Sequence, residues 1–540
     1  MATPSPMTLR WRTWGVWLLP ALLLVLATLR PLALPDEGRY AEVGRWMWMT
    51  GDWLTPRLDG IPFFHKPPLL YWMEAAAISV MGATPWAARA VVAAHACLMW
   101  GLLVLCTRHM AGVDVARRAS WMLASSLAFL VGGQYVNHDM MVATWMGVAI
   151  WCFARAFMHG EGAQKGEHKG VHRGWARVGF VACALGVLSK GLIGLLLPGL
   201  VLFVWIAWTR QWRKILDLPW LSGLLLFVLI AVPWFVLAER EYPGMLAYMF
   251  GKHQFGRYTA TTFNNARPWW FYGVAVALLM FPWVFFVLVD AVQSLWRRFS
   301  GLWKSSAELS VVEIDSSWVA LCWIWVIAIL VFFSIPNSKL LGYALPVMPP
   351  LALLAALWWE RRMAPLAWAG RVFTSLVSLA VITACASNWV ATGYTEQRST
   401  ADVADVLACH MTPNDVVAAV DDYPYDLPFY AQLTHPLEVV QDWEALRQTA
   451  GDNWRRELFE GADFDRKAAQ SLVPLARLST LKAEPRAWVL APRESTLLSA
   501  SPSLGFVKFY QGRAWTLYRS AAFAAATPDL KTCVEKPKND

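Results

Sequence analysis

The charged residues with the clearest chemical potential gather in one hydrophilic segment, residues 35–71. Two adjacent acids, Asp36 and Glu37, open this segment, and His65 and Lys66 stand near its end, before two prolines. A carboxylate can activate a hydroxyl, and a lysine can bind a phosphate as a point charge. The combination predicts a site that handles an anionic lipid head group and activates an acceptor.

Asp36 has a structural interpretation as well, because a helix is predicted to follow Pro35 and to end at Gly51. As the N-cap of that helix, Asp36 would have a lowered pKa and would be a weaker base. A general base at this position needs desolvation or the help of Glu37, whereas an acceptor that is already an anion needs no strong base. Tyr40 lies on one face of the same helix and is a candidate substrate contact.

Two further charges stand at the ends of apolar runs. Asp139, in VNHDMM, lies at or near the mouth of a predicted span, and Lys190, in VLSKGLIG, lies between two apolar runs. A charge at membrane depth is costly, so both are candidate functional residues. The structural alternative for Lys190 is a side chain that extends to the interface.

Two later segments add cations beside aromatic residues. KHQFGRY contains Lys252 and Arg257, which could bind a phosphate. SIPNSKLLGYALP places Lys339 and Tyr343 four residues apart, hence on one face if a helix starts by Ser338.

A divalent metal is a separate hypothesis. His65 and His253 together with a carboxylate would suit zinc, although they are far apart in the chain and form no local motif.

Composition defines the elements that must position these residues. The 540 residues are 57% hydrophobic and only 16% charged, whereas a soluble domain has about 25% charged residues. This predicts a polytopic α-helical membrane protein. The net charge of +9 lies in short patches between apolar runs, which argues against a nucleic-acid partner.

Eleven segments are long and apolar enough to span a membrane, and a twelfth, 69–82, is predicted to lie at the interface. The eleven are about 12–30, 86–107, 119–133, 139–158, 176–190, 192–209, 217–237, 269–291, 317–335, 341–358 and 366–390. Lys and Arg occur in every second loop, so those loops and the N-terminus are predicted to be cytoplasmic. All the candidate residues then fall on the extracytoplasmic side, and so does the loop 238–268.

These patterns predict a transmembrane domain over 1–390, an extracytoplasmic α/β domain over 391–522 and a disordered tail over 523–540. Within the second domain, runs at 416–420, 487–490 and 514–518 are typical of strands, and 441–459 is typical of helices. Cys409 and Cys533 would pair only in an oxidising compartment.

The ordered set of motifs resembles the bacterial lipid A aminoarabinose transferases and, more broadly, the protein O-mannosyltransferases. The matching stretches are DEGRYAEVGRWM, GDWLTPRLDGIPFFHKPPLLYW, the Asp139 turn, SKG at 189–191, KHQFGRY with RPWWFY, and SKLLGYALP. The resemblance covers about residues 1–390.

This resemblance implies a GT-C-type membrane glycosyltransferase with about 11–13 spans that uses a polyprenyl-phosphate sugar and inverts the anomeric carbon. It also implies roles for individual residues: Asp36 and Asp139 as essential acids, Lys66 and Arg257 as donor-phosphate contacts, and Lys190, Lys339 and Tyr343 as further pocket residues. Relatives can hold zinc between the first loop and 238–268. This chain has His65 where the aminoarabinose transferases have a glutamate, so both the metal and the sugar stay open.

The sequence therefore predicts an inner-membrane glycosyltransferase that acts on lipid A or another envelope glycan at the periplasmic face. Two alternatives stay open: transfer to a protein acceptor, and a flippase for a lipid-linked sugar. A flippase is expected to have charges near the bilayer midplane and paired interrupted helices, whereas here the charges gather at one face.

Overall fold

The computed structural model describes residues 17–158, 170–256, 265–299, 314–451, 453, 455–499 and 505–533. The chain forms two compact units. The helical unit consists of Met1–Thr28 and Arg89–Trp389, and the mixed unit consists of Leu29–Ala88 and Val390–Asp540. The hydrophilic segment 35–71, assigned to the transmembrane domain from the sequence, is thus grouped with the C-terminal part of the chain.

The helical unit is built from apolar helices with few charges. Its α-helices are Leu18–Leu26, Pro85–Ala124, Leu127–Leu130, His138–Phe157, Arg173–Lys190, Ile193–Thr209, Trp220–Glu241, Phe271–Leu279, Val284–Phe299, Ser316–Ser334, Met348–Arg362 and Ala369–Glu396. The first residues of Pro85–Ala124 and the last of Ala369–Glu396 lie in the mixed unit. Gly132–Gln134, Trp212–Ile215 and Leu341–Val347 are 3₁₀ turns, and Ala247–Phe255 is a π-helix.

Six helical stretches in the described residues are long and apolar enough to cross a membrane, which confirms a multi-pass membrane protein. They are Pro85–Ala124, His138–Phe157, Trp220–Glu241, Ser316–Ser334, Leu341–Arg362 and Ala369–Glu396. Pro85–Ala124 is two helices rather than one, because Gly112 breaks it with φ 85° and ψ 177°. The predicted span 119–133 differs from the structure: the second of these helices ends at Ala124, and a separate turn, Leu127–Leu130, follows.

The mixed unit combines a six-stranded sheet with short helices. The strands are β3 (Val416–Val420), β4 (Glu438–Val440), β5 (Leu472–Val473), β6 (Ala487–Pro492), β7 (Phe506–Gln511) and β8 (Trp515–Ser520), and a small hairpin pairs β1 (Arg57–Leu58) with β2 (Ile61–Pro62). The helices are Asp36–Thr50, Leu69–Met81, Ala401–His410, Leu427–Tyr430, Trp443–Thr449, Arg456–Ala462, Leu478–Leu481, Thr496–Ser499 and Ala521–Ala526, with 3₁₀ turns at Ala468–Ser471 and Leu475–Arg477.

The six strands lie in the order β5-β4-β3-β6-β8-β7. The first four are parallel, and β8 and β7 complete the sheet in antiparallel fashion. Strands were predicted at the positions of β3, β6 and β8, and helices over 441–459. The sequence analysis did not predict β4, β5 or β7. β4 and β5 have three and two residues, and so short a run gives no periodic signal. β7 has six residues, which are half-buried or exposed.

The N-terminal segment Leu29–Ala88 is joined to the C-terminal part of the mixed unit by buried hydrogen bonds. The Arg45 guanidinium donates to the Leu433 carbonyl at 2.8 Å, and the Leu437 N–H donates to the Asp59 carboxylate at 2.9 Å. Burial raises the pKa of Asp59 well above its usual range, although this hydrogen bond acts in the opposite direction.

A disulfide joins Cys409, near the end of the helix Ala401–His410, to Cys533, with a Cα–Cα distance of 6.6 Å. The helix Ala521–Ala526 and the segment up to Cys533 therefore belong to the described part of the mixed unit, although the sequence placed them largely in a disordered tail. The rest of that predicted tail, 534–540, lies outside the described residues.

Asp415 provides a pH-dependent contribution to the stability of this unit. It accepts hydrogen bonds at 2.9 Å from Arg486 Nη2 and Trp488 Nε1. Burial alone would raise the pKa of Asp415, but these hydrogen bonds outweigh it and lower the pKa below 3.8. The stabilisation is therefore complete above the unfolded pKa and is lost as the pH falls through the lowered folded value.

Replacing Asp415 with Asn is expected to lower the free energy of unfolding at neutral pH by about 1–3 kcal/mol. The difference from the native chain should shrink in acid, as measured by thermal unfolding midpoints across a pH series. The matched control is Asp463→Asn, which removes an exposed pair with Arg447 and should change stability by less than about 1 kcal/mol. Equal effects of the two substitutions would contradict this role for Asp415.

Candidate active site

The helix that carries the first two candidate acids begins and ends where the sequence predicts. It runs from Asp36 to Thr50, and Gly51 ends it in the left-handed conformation, with φ 70°. Pro35 occupies the N-cap position and gives no side-chain cap. The N-cap interpretation of Asp36 is therefore wrong, because Asp36 is the first residue inside the helix and its carboxylate bonds to Arg39 instead.

The two adjacent acids have different surroundings. Glu37 is fully buried and accepts hydrogen bonds from both terminal nitrogens of Arg30 and from the Ala33 N–H, the last at 2.7 Å. The Asp36 side chain is 36% exposed. A carboxylate in a buried bidentate pair has little freedom to accept a substrate proton, so this arrangement favours Asp36 over Glu37 as the reactive acid.

Arg39 connects Asp36 to a residue that the sequence did not single out. Its guanidinium donates to Asp36 and to Glu457, and also to the Tyr40 hydroxyl at 3.1 Å. Burial opposes the charge on Arg39, but Glu457, Tyr40 and Asp36 together raise its pKa well above the usual range. Asp36 thus lies beside a permanently charged cation.

His65 approaches the same oxygen of Glu457 that Arg39 contacts. Its Nδ1 is 3.7 Å from a Glu457 oxygen, and its ring stacks on Phe63 with centroids 5.0 Å apart. Lys66 follows in a half-buried position. Tyr40 packs against Phe63 at 6.4 Å between ring centroids. The mixed unit therefore gathers Asp36, Tyr40 and His65 around Arg39 and Glu457, and we call these five residues the Asp36 cluster.

The helical unit brings together three of its predicted site residues. The Lys190 ammonium donates to the Asp139 carboxylate and lies 4.3 Å from the centre of the Tyr343 ring. Asn137 caps the helix of Asp139, accepting from the Asp139 N–H at 2.9 Å and donating to its carboxylate at 3.2 Å. We call Asn137, Asp139, Lys190 and Tyr343 the Asp139 cluster.

Helix ends explain why this ion pair forms. Asp139 is in the first turn of His138–Phe157, and Lys190 is the last residue of Arg173–Lys190. A helix favours negative charge at its N-terminus and positive charge at its C-terminus. The side chains of both residues are about nine-tenths buried, with 10% and 9% exposed, so each charge is stabilised by the other and by its own helix.

Lys339 differs from the prediction. The helical turn begins at Leu341 rather than by Ser338, so the expectation that Lys339 and Tyr343 share a helical face is wrong. The Lys339 ammonium is buried and donates to the carbonyls of Pro336 and Arg267, at 2.6 and 3.1 Å. This lysine connects two backbone segments of the helical unit.

The π-helix Ala247–Phe255 carries a further candidate residue. His253 is buried within it, and its ring packs edge-on against Tyr248 with centroids 4.5 Å apart. A π-helix is a rare conformation that often marks a functional position. Arg257 lies outside the described residues.

Comparison with known proteins shows which families this chain is similar to. Residues 21–249 match the family described as dolichyl-phosphate-mannose-protein mannosyltransferase. The undecaprenyl phosphate-α-4-amino-4-deoxy-L-arabinose arabinosyl transferase of Pseudomonas paraeruginosa is 29% identical over 64% of this chain and 59% of its own length. The corresponding enzyme 1 of Sodalis glossinidius is 32% identical over 63% of this chain and 58% of its own length.

A solved structure extends the likeness over nearly the whole chain. ArnT from Cupriavidus metallidurans, crystallised with undecaprenyl phosphate, superposes with a TM-score of 0.76 over 95% of this chain and 98% of its own, at 24% identity. The chain is similar to the aminoarabinose transferases. An archaeal oligosaccharyltransferase from Archaeoglobus fulgidus shares the fold more distantly, with a TM-score of 0.50 over 91% of this chain and 70% of its own.

The GT-C-type fold predicted from the motifs is thereby confirmed, as is the resemblance to the aminoarabinose transferases. The chain spans about three fifths of the length of the curated aminoarabinose transferases that it matches. Sequence reasoning selected Asp36, Tyr40 and His65 but missed Arg39 and Glu457. Arg39 could have been found from its spacing of three residues from Asp36, whereas Glu457 lies 418 residues from Arg39 and gave no signal.

Proposed function

We propose that this protein is an inverting glycosyltransferase that moves a sugar from undecaprenyl phosphate, or a similar polyprenyl phosphate, to lipid A or another envelope glycan. The observation that carries the proposal is the Asp36 cluster. It holds a partly exposed carboxylate beside a permanent cation, on a fold shared with a protein crystallised with undecaprenyl phosphate. The substrates of the related transferases, named for aminoarabinose on undecaprenyl phosphate, support this donor class.

The reaction needs charge stabilisation at the donor. The bond between the anomeric carbon and the phosphate oxygen breaks, and its electron pair leaves on the phosphate. The acceptor oxygen forms the new bond from the opposite face, which inverts the carbon. Lys66 and Arg257 are the residues that we assign to the phosphate, because fixed cations stabilise charge that develops in the transition state.

The acceptor determines the role of Asp36. A hydroxyl acceptor must lose its proton, and the Asp36 carboxylate is the group that we assign to receive it. An acceptor that is already a phosphate anion carries no such proton, and Asp36 then orients it. Asp139, held by Lys190 and Asn137, is the second acid in our proposal.

Zinc would suit the residues around His65. Imidazole and carboxylate are both zinc ligands, and His65 has Glu457 as its neighbour at 3.7 Å. We propose His65 and His253 as imidazole ligands, and a bound zinc would act as a Lewis acid toward the donor phosphate. Elemental analysis of the purified protein, compared with the double variant His65→Ala/His253→Ala, tests this: equal zinc content in the two would exclude these ligands.

We place the protein in the bacterial inner membrane with the mixed unit in the periplasm. Basic residues in alternate loops support this orientation. The Cys409–Cys533 disulfide supports it independently, because disulfides persist in the periplasm and are rare in the cytosol.

Mass spectrometry of the bacterial envelope tests the function. Lipid A from cells with the gene is expected to carry one additional sugar, and cells without it are expected to lack that sugar and to accumulate the lipid-linked donor. A plasmid copy should restore the modification, which controls for effects on neighbouring genes. Identical lipid A, envelope glycans, glycoproteins and lipid-linked sugars with and without the gene would contradict the proposal.

A protein acceptor is the second candidate, because residues 21–249 match a family described by protein mannosylation. Glycoprotein staining of the same two strains separates the two acceptors. A flippase is separated by an assay of purified protein in detergent, where no bilayer is present. Only a transferase forms a new glycosidic bond there.

Gly342 provides a further test of the Asp139 cluster. A Cβ at Gly342 would lie 2.9 Å from Asp139 Cβ and closer still to its carboxylate, so Gly342→Ala must displace the acid. Misplacement of a reacting group by about 1 Å can cost 100-fold in rate, and we expect a loss of about that size in detergent transfer assays. The control is Gly199→Ala, where nothing lies within 4 Å of the new methyl group. Equal transfer rates for Gly342→Ala and Gly199→Ala would contradict the role assigned to Asp139 beside Gly342.

A further inference from the structure

A second group of metal-binding side chains lies in the mixed unit, and none of its members belongs to the Asp36 cluster. Cys409, His410 and Cys533 place their two sulfurs and an imidazole nitrogen within 4.8 Å of one another. His410 Nε2 is 3.2 Å from Cys533 Sγ. Cys409 is exposed, and the other two are half-buried, so the group can be reached from solvent.

We propose that reduction of the Cys409–Cys533 disulfide converts this group into a zinc site with two thiolates and the His410 imidazole as protein ligands. Zinc prefers cysteine sulfur and histidine nitrogen, and three protein ligands leave a fourth position for water. With Zn–S near 2.3 Å and Zn–N near 2.0 Å, ligands around a tetrahedral zinc lie about 3.4–3.8 Å apart. The His410 Nε2–Cys533 Sγ distance of 3.2 Å is close to those values. The two sulfurs are bonded to each other in the disulfide, and they separate to this spacing once the bond is reduced.

The electrostatic surroundings suit a cation once the thiolates form. Cys409 and His410 are the last two residues of the helix Ala401–His410, and a helix C-terminus favours positive charge. Arg486, whose guanidinium donates to the His410 carbonyl at 3.0 Å, has the Asp415 carboxylate as its own partner.

Disulfide reduction and zinc binding are two separate steps. A dithiol supplies two electrons and two protons, the S–S bond breaks to give two thiols, and the dithiol closes into its own disulfide. Zn²⁺ then replaces the two thiol protons, which pass to solvent, and accepts the imidazole lone pair. The same two elements, the helix Ala401–His410 and the segment ending at Cys533, are held together in both states.

A cobalt titration of the full-length protein in detergent tests the proposal. Co²⁺ is a spectroscopic substitute for zinc, and its thiolate charge-transfer absorption distinguishes this site from any site without sulfur, including one at His65 and His253. Protein reduced with a dithiol and then freed of it is expected to develop the absorption at one Co²⁺ per chain and to lose it when Zn²⁺ is added. Oxidised protein is expected to show none.

Three variants make the result specific. His410→Ala keeps both cysteines, so the disulfide still forms during purification. Once reduced, this variant should bind Co²⁺ at least about 10-fold more weakly. Even residues that only hydrogen-bond to a metal ligand cost about that much when replaced. Cys533→Ser should lose the absorption, and Cys385→Ser, which changes a half-buried free cysteine, should retain it. The proposal is overturned by the absence of the absorption in reduced native protein, or by an unchanged affinity in His410→Ala.

Discussion

Replacing Asp36 with Asn is expected to reduce sugar transfer by about 100-fold or more, the usual contribution of a positioned acid or base, with little change in stability. The side chain is 36% exposed, and Arg39 keeps Glu457 as a second carboxylate partner after the charge at Asp36 is removed. The asparagine amide has nearly the same shape as the Asp36 carboxylate but cannot accept the acceptor's proton. The rate of sugar transfer by purified protein in detergent measures the activity, and the thermal unfolding midpoint measures the stability.

The adjacent acid gives a matched control with the opposite profile. Glu37 is fully buried and paired with Arg30, whose side chain is 5% exposed. Breaking a buried pair leaves the arginine charge uncompensated and costs about 3–5 kcal/mol. Glu37→Gln should therefore lower the unfolding midpoint and the amount of protein recovered, while its rate per folded molecule falls much less than that of Asp36→Asn. The reverse pattern, with stable but inactive Glu37→Gln, would give Glu37 the catalytic role.

A similarly large effect on stability is expected at the Asp139–Lys190 pair. Asp139→Asn leaves the buried Lys190 ammonium without its carboxylate, and Lys190→Met leaves the carboxylate without its cation. Each single substitution should lower the free energy of unfolding by about 3–5 kcal/mol. The unfolding midpoint in detergent, together with the yield of inserted protein, measures the loss.

The double variant Asp139→Asn/Lys190→Met separates structure from catalysis. It removes both charges, so the midpoint should recover much of the loss seen in either single variant. Transfer should stay at least about 100-fold below the native rate if Asp139 is an essential acid. A double variant that regains stability and transfers sugar at the native rate would reduce the pair to a structural role.

The sequence was informative where local pattern determines structure. The helix after Pro35, its end at Gly51 and the buried strands β3, β6 and β8 follow from residue type and periodicity. Asp139 and Lys190 were selected separately because a charge at membrane depth is costly. Their direct pairing depends on how two helices align, which no local pattern records.

Other features of the site depend on contacts between distant parts of the chain. Asp36 and Glu37 look equivalent as neighbouring acids, and only the position of Arg30 separates them. Glu457 stands in an ordinary polar stretch and becomes relevant through Arg39. Lys339 was selected for its spacing of four residues from Tyr343 and for the family resemblance. The two backbone carbonyls that its ammonium contacts could not be read from the sequence.

The grouping of Leu29–Ala88 with Val390–Asp540 has a consequence for the order of assembly during synthesis. Arg45 and Asp59 find their carbonyl and amide partners 388 and 378 residues later in the chain. At translation rates of roughly 5–20 residues per second, the first loop waits about 20–80 s for these partners. During that time Arg39 is also without Glu457, its carboxylate partner in the complete chain.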